Sequence, residues 1–118
     1  MRVAVIGSRE VGERIEAQIR DALPPYTSEI VSGGAKGVDQ AAKAVAAQLG
    51  IPFCEYVPDY DRYGKRAPLV RNDRIIERAD MVLAFWDGES AGTKYVIAEC
   101  LKKGKRVIYI PLEGDEHL

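Results

Sequence analysis

At 118 residues the chain has room for one domain, expected to span residues 1–118. A chain of this size buries roughly 65% of the surface its unfolded form exposes, enough for one core and too little for two. With 47% hydrophobic residues, 30% charged residues and a net charge of -1, it is neither a disordered chain nor one drawn as a whole to polyanions.

Cys54 and Cys100 lie in apolar segments without zinc-ligand spacing or a disulfide framework, so both read as buried free thiols in a reducing compartment. The only histidine, His117, is next to last, where tails usually fray, which argues against histidine triads and metal sites. No metal and no cofactor is expected. The apolar run in "MRVAVIGSREVG" is too brief for a signal segment, and no stretch has the length of a membrane span. A cytoplasmic protein without a membrane partner is therefore expected.

In chain order, "RVAVIGS" is a nearly continuous β-branched run, the pattern of a strand buried on both faces. Val11, Ile15 and Ile19 recur every fourth residue among charges and predict a helix from Glu10 to Ala22, stopped by Pro24-Pro25. "SEIVSGG" is a second strand. Val38, Ala41, Ala42, Val45, Ala46 and Leu49 form the apolar stripe of a second helix, ended by Gly50 with Pro52 beyond it. "IPFCEYV" is a third strand. The segment from Pro58 to Pro68 lacks periodicity and reads as a loop feeding a helix from about Leu69 to Arg78. "MVLAFW" is a fourth strand, Val96, Ile97, Cys100 and Leu101 mark a helix ended near Gly104, and "RVIYIPL" is a fifth strand.

This alternation predicts an α/β fold, a three-layer Rossmann-like doubly wound parallel sheet of five strands, because parallel neighbours need crossovers. Ligands of such sheets bind beyond the carboxyl ends of the strands, near the topological switch point. Strands one, two and four end in "GSR" (Gly7, Ser8, Arg9), "SGGAKG" (Ser32, Gly33, Gly34, Ala35, Lys36, Gly37) and "WDGESAGT" (Trp86 to Thr93). Strands three and five end instead in Pro58 and Pro111. The asymmetry favours the order 3-2-1-4-5, which lets the three small-residue loops converge; a 2-1-3-4-5 order would separate them.

Three helix N-termini would point to that convergence, where unpaired N–H groups and positive dipole ends favour phosphate. Gly33, Gly34 and Gly37 allow close approach, and Lys36 or Arg9 could add charge. Each glycine cluster alone would equally serve a tight turn or helix-on-strand packing; three together favour binding. Asp39, in the first turn of the second helix, either balances the helix dipole or accepts from a ribose hydroxyl or the loop itself. Asp87, Glu89 and Ser90 follow the fourth strand, where a carboxylate could act as base or ribose acceptor, or as a turn and capping residue.

From Arg62 to Arg78 the chain carries six basic residues (Arg62, Lys65, Arg66, Arg71, Arg74, Arg78) against two acidic ones, Asp73 and Glu77. With Tyr56, Tyr60 and Tyr63 beside it, this patch could stack a base and neutralise phosphates of a single strand, or be a solvated helix face over a packed tyrosine loop. Trp86 is similarly divided between core rim and base platform.

Together, "SGGAKGVDQAA", "LVRNDRIIERADMVLAFW" and "SAGTKYVIAECLKKGKRVIYIP", with "VIGSR" at Val5, resemble the SMF/DprA-LOG (SLOG) superfamily. The likeness is to the Rossmann-like core of the DprA proteins and to small single-domain YspA-like members. It implies a pocket for a nucleotide or nucleotide derivative formed by Gly7, Ser8, Arg9, Ser32 to Gly37 with Asp39, Arg71-Asn72 opening the third helix, and Ser90, Gly92 and Thr93. It also implies a homodimer.

The LOG-type phosphoribohydrolases carry a PGGxGTxxE motif whose glutamate assists N-glycosidic cleavage of a nucleoside monophosphate. Aligning Gly92-Thr93 puts Val96 at that glutamate and Gly88-Glu89-Ser90 at the preceding Pro-Gly-Gly. Asp87 or Glu89 would have to supply a displaced catalytic carboxylate. The leading expectation is thus a nucleotide-binding sensor or nucleotide-processing domain. The alternatives are a hydrolase of the nucleotide N-glycosidic bond and a DprA-like single-stranded DNA module.

Overall fold

The strand β1 (Arg2–Gly7) has a run of β-branched and small residues, and Val3, Ala4 and Val5 are fully shielded from solvent. Such a strand needs cover on both faces and a neighbour on each edge. In the computed structural model, which describes residues 1–112, β1 pairs in parallel with β2 (Glu29–Ser32) on one side and β4 (Met81–Trp86) on the other. The short β3 (Phe53–Glu55) and the longer β5 (Arg106–Pro111) form the edges, so the order is β3-β2-β1-β4-β5, as the loop chemistry predicts. His117 lies outside the described residues.

The period-two alternation of β1 sends Val3 and Val5 to one face and Ala4 and Ile6 to the other. On the first face α1 (Ile15–Ala22) and α2 (Val38–Leu49) pack Ile19, Val38 and Val45 onto Val3, Val5, Ile30, Leu83 and Phe85. The second face receives α4 (Ala67–Arg78), reached through a one-turn α3 (Tyr60–Tyr63) and a 3-10 turn, and then α5 (Ala91–Lys103). There Ile75, Ile76, Val96 and Cys100 close over Ala4, Ile6, Val82 and Ala84. Each fully buried isoleucine or leucine contributes roughly 1.5–3 kcal/mol relative to exposure. Tyr95 donates to Asp73 at 3.0 Å and fastens α5 to α4.

Four expectations are corrected. Helix α1 starts at Ile15 rather than Glu10, because residues 8–12 cross above the sheet: the Ser8 carbonyl accepts from the Val38 N–H at 3.1 Å, and Gly12 is a poor helix residue. The third helix starts two residues early, at Ala67, with Pro68 in its first turn, where a missing N–H costs nothing, and the segment before it is largely helical. Leu101 is 70% exposed, so it stands off the buried stripe of α5. Cys54 is only half-buried, whereas burial pushes the Cys100 thiol up. Helices α2 and α5 end as predicted, with Gly50 and Gly104 in the left-handed conformation.

Candidate functional site

Beyond the carboxyl ends of β1 and β4 the layers part to leave a cleft of about 370 Å³. Its base is apolar, formed by the buried Ile6, Ile75 and Val96. Gly7, Arg9 and Glu10 line it after β1, and Ala35 and Asp39 line it from the start of α2. Helix α4 contributes Pro68, Leu69, Arg71 and Asn72, while Asp87, Ser90, Gly92 and Thr93 come from the turn into α5.

The first turn of α5 opens into this cleft through Ser90, Gly92 and Thr93. Ser90 is its N-cap residue but its side chain makes no cap hydrogen bond; its hydroxyl instead lies 3.4 Å from that of Thr93. The first intrahelical bond is from the Lys94 N–H to the Ser90 carbonyl, so the N–H groups before it have no acceptor within the helix. Their dipole end favours negative charge. Nothing lies within 4 Å of where a Gly92 side chain would stand, so this turn is open. Trp86 steadies it from outside, its Nε1 donating to the Ser90 carbonyl at 3.0 Å.

Asp87 shapes the same turn. Its Oδ1 accepts from the N–H groups of Ser90 (2.9 Å) and Glu89 (2.8 Å), which hold the carboxyl below the usual range and keep it ionised. Glu89 is exposed and is not among the residues lining the cleft. Val96, where the LOG glutamate would stand, is a buried part of the apolar base.

The glycine-rich turn after β2 divides into structural and site-facing parts. Gly37 has φ +78°, and a Cβ there would lie 2.4 Å from the carbonyl oxygens of both Ser8 and Arg9, so this glycine is dictated by the crossing chain. Gly33 is bare for a different reason: a Cβ would come 2.6 Å from Arg71 Nη1 and 2.7 Å from Asp39 Oδ2. Asp39 is 7% exposed, and burial pushes its carboxyl up to about 6 despite a backbone hydrogen bond from Ala35 and the nearby Arg71 charge. The Arg71 Nε donates to Asn72 Oδ1 at 2.8 Å, which aims the guanidinium inward. Both residues sit in the second turn of α4, not at its opening.

Ser8 and Ser32 are buried and spend their hydroxyls on the scaffold: Ser32 donates to the Val5 carbonyl at 2.5 Å, and Ser8 accepts from the Asp87 N–H at 3.1 Å. Lys36 is exposed and Gly34 faces a second depression along α2, so neither lines the cleft between β1 and β4. Of the three expected helix N-termini, α5 is open to the cleft; α2 spends its Val38 N–H on Ser8, and α1 begins away from the cleft.

Residues 1–63 match the model of the YspA, cpYpsA-related SLOG family. A curated relative, the Gene 61 protein of Mycobacterium phage D29, is 34% identical and aligns over 91% of this chain and 94% of its own. The chain belongs to the YspA, cpYpsA-related SLOG family. Its fold also matches the X-ray structure of DNA processing protein A (DprA) from Streptococcus pneumoniae, with a TM-score of 0.79 at 22% identity over 98% of this chain. The match spans 52% of the DprA chain, about half its length.

In this SLOG chain the basic segment is thinner than its sequence implies. Arg78 pairs with Glu29 through two hydrogen bonds of 2.6 and 3.0 Å, and Arg71 turns into the cleft. Tyr63 is held between Arg62, 5.4 Å from its ring centre, and Arg74, which donates to its hydroxyl at 3.4 Å. Tyr60 is 60% exposed, leaving it as the open aromatic of the group.

Sequence periodicity did not mark Glu10, Pro68 and Leu69 as cleft residues. Leu69 is 41% exposed at the rim, a placement set by how α4 packs and not by a local sequence pattern. Among the described residues no group of three His, Cys, Asp or Glu side chains could hold a metal ion, and no helix is long and apolar enough to cross a membrane.

Proposed function

We propose that this protein is a cytoplasmic nucleotide-binding domain, a sensor or nucleotide-processing module, that holds a phosphorylated nucleoside or a derivative of one in the cleft. The observation that carries the reading is the uncapped first turn of α5 opening into the same cleft as Arg9 and Arg71. Phosphate would lie on the Ser90–Thr93 turn with the two guanidiniums as counter-charge. The base and sugar would lie on the apolar side made by Pro68, Leu69, Ile75 and Val96. Asp39 and Asn72 supply the buried polar edge that orients them.

Binding is favoured over N-glycosidic hydrolysis by the state of the candidate carboxylates. Asp87 is committed to its turn, Glu89 is outside the cleft lining, and Val96 offers no charge to an oxocarbenium-like transition state. Hydrolysis using Asp87 or Glu89 would release free base from nucleoside monophosphates, and chromatography reads that directly. The DNA-processing role named for the structural neighbour comes to this chain as a second reading, supported by Arg62 and Arg74 on either side of Tyr63, with Lys65, Arg66 and the exposed Tyr60 in the same segment. It requires binding to single-stranded oligonucleotides that weakens with salt.

Calorimetric titration with nucleosides and their phosphates tests the main reading. The expected result is saturable binding that needs the phosphate group. Equal heats with and without phosphate, or none with any nucleotide, would sink it.

A further inference from the structure

The cleft that would hold a phosphorylated ligand is lined by more acid than base. Arg9 and Arg71 are its cationic residues, set against the carboxyls of Glu10, Asp39 and Asp87. Lys43 gives no relief: it lines the second depression, where its Nζ lies 3.7 Å from Glu55. A phosphate entering the cleft adds further negative charge, over an apolar base of Ile6, Ile75 and Val96 that screens poorly. Anions crowded into such a site do not all stay ionised; one of them takes up a proton.

The three carboxyls differ in their readiness to do so. Asp87 accepts from the N–H groups of Glu89 and Ser90, which hold it ionised. Glu10 is exposed, so water supports its charge. Asp39 is buried, and its Oδ2 accepts from the Ala35 N–H at a long 3.3 Å. Burial already lifts its carboxyl to about 6, and Arg71 is the cation that opposes the lift. Arg71 Nη1 and Asp39 Oδ2 converge on one point above Gly33, 2.6 and 2.7 Å from where a Cβ would stand. Asn72 occupies the Arg71 Nε, so the remaining guanidinium donors serve either Asp39 or a ligand. From the elements around it, Asp39 shares its two cavities with Arg9 and Glu10 after β1, Lys43 on α2, Glu55 of β3, Arg71 on α4 and Asp87 before α5.

We propose that Asp39 couples ligand binding to proton uptake: the ligand phosphate takes over Arg71 from the Asp39 carboxylate, and that carboxylate is protonated as the ligand binds. The inference rests on the nucleotide reading of the cleft and adds how the site is regulated. One proton passes from solvent to a carboxylate oxygen of Asp39, and no bond of the ligand changes. The neutral carboxyl then offers an O–H donor to a ligand oxygen, where the ionised one could only repel it. Binding therefore tightens as pH falls toward 6, with Asp39 as the positioning residue that answers to the proton.

Titration calorimetry with adenosine, guanosine, cytidine and uridine monophosphates, in two buffers of unlike ionisation enthalpy, counts the protons taken up per ligand bound. Each free phosphate itself titrates near a second pKa of about 6, so the parent is compared with Asp39→Asn, which keeps the ligand's contribution and removes that of the carboxyl. Near neutral pH the parent should take up at least about half a proton more per ligand than the variant. Its affinity relative to the variant should fall at least about threefold per pH unit there, as linkage requires. Equal uptake with parallel pH profiles overturns the inference and leaves nucleotide binding standing. Failure of the parent to bind any of the monophosphates overturns the nucleotide reading and this inference with it.

If Asp39→Asn fails to fold, carbon-13 NMR of the aspartate carboxyls in the parent gives a second readout. Saturation with a bound monophosphate should raise the Asp39 titration midpoint by at least about half a pH unit, a movement that a purely structural carboxyl would not show. A midpoint that stays or falls overturns the inference equally.

Discussion

Asp39 and Arg71 meet across Gly33, where a single added methyl group would stand 2.7 Å from Asp39 Oδ2 and 2.6 Å from Arg71 Nη1. The carboxyl is buried, the guanidinium is anchored by Asn72, and both line the cleft. A ligand phosphate near Arg71 would therefore meet a carboxyl whose charge state varies close to neutral pH.

The sign of that dependence follows from the direction of the shift. Burial lifts Asp39 from the ordinary 3.8 to about 6, so the folded chain holds this proton more tightly than the unfolded one. The group's destabilising contribution is absent below the lower value and complete above the higher one, so stability falls as pH rises between them. A gap of that size corresponds to roughly 3 kcal/mol as an upper figure. Asp87 and Glu29, both held low by hydrogen bonds, run the opposite way and lose their contribution as pH falls. Comparing urea midpoints of the parent and Asp39→Asn across the interval isolates the Asp39 contribution. The parent should lose stability relative to the variant as pH rises; parallel curves would refute the assignment.

Gly37→Ala should cost at least about 2 kcal/mol, because the left-handed backbone and the Ser8 and Arg9 carbonyls both oppose a side chain there. Urea unfolding reads the loss. A fall in ligand binding by this variant would follow from damage to the crossing loops, so an unchanged unfolding midpoint is the result that contradicts the structural role.

Trp86, the only tryptophan, connects the α5 turn to the β5 edge: its Nε1 reaches the Ser90 carbonyl at 3.0 Å and its ring meets Tyr109 edge-on at 5.7 Å. Trp86→Phe removes one hydrogen bond, worth about 1 kcal/mol net, to the Ser90 carbonyl at the start of α5. Nucleotide affinity should drop about fivefold by calorimetry. In the parent chain, saturation with nucleotide should also shift the Trp86 emission. An unchanged affinity would separate the turn from its outside support.

The sheet order was legible because glycine-rich ends on strands one, two and four, and proline ends on three and five, mark which strands must be neighbours. The α2 stripe and its Gly50 stop were legible for the same local reasons. Sequence could not tell Gly37 from Gly33, since one is fixed by a backbone crossing from β1 and the other by side chains from α2 and α4. Ser8, Ser32 and Lys36 looked like pocket residues in a glycine-rich context. The two hydroxyls are instead consumed by Asp87 and Val5 main-chain groups, and the lysine is exposed outside the cleft lining. Burial of Asp39 depends on the packing of three elements and leaves no mark on any one of them.

Gly92 offers the most direct test of phosphate binding at the α5 turn. A side chain there meets nothing within 4 Å, and an aspartate in a first helical turn is favoured by the dipole, so Gly92→Asp should fold as the parent does. Its carboxylate would occupy the position assigned to the ligand phosphate. Calorimetry with a nucleotide that binds the parent should show affinity reduced by about 100-fold, close to 3 kcal/mol, at an unchanged unfolding midpoint. Equal affinity of Gly92→Asp and the parent for that nucleotide would contradict the account.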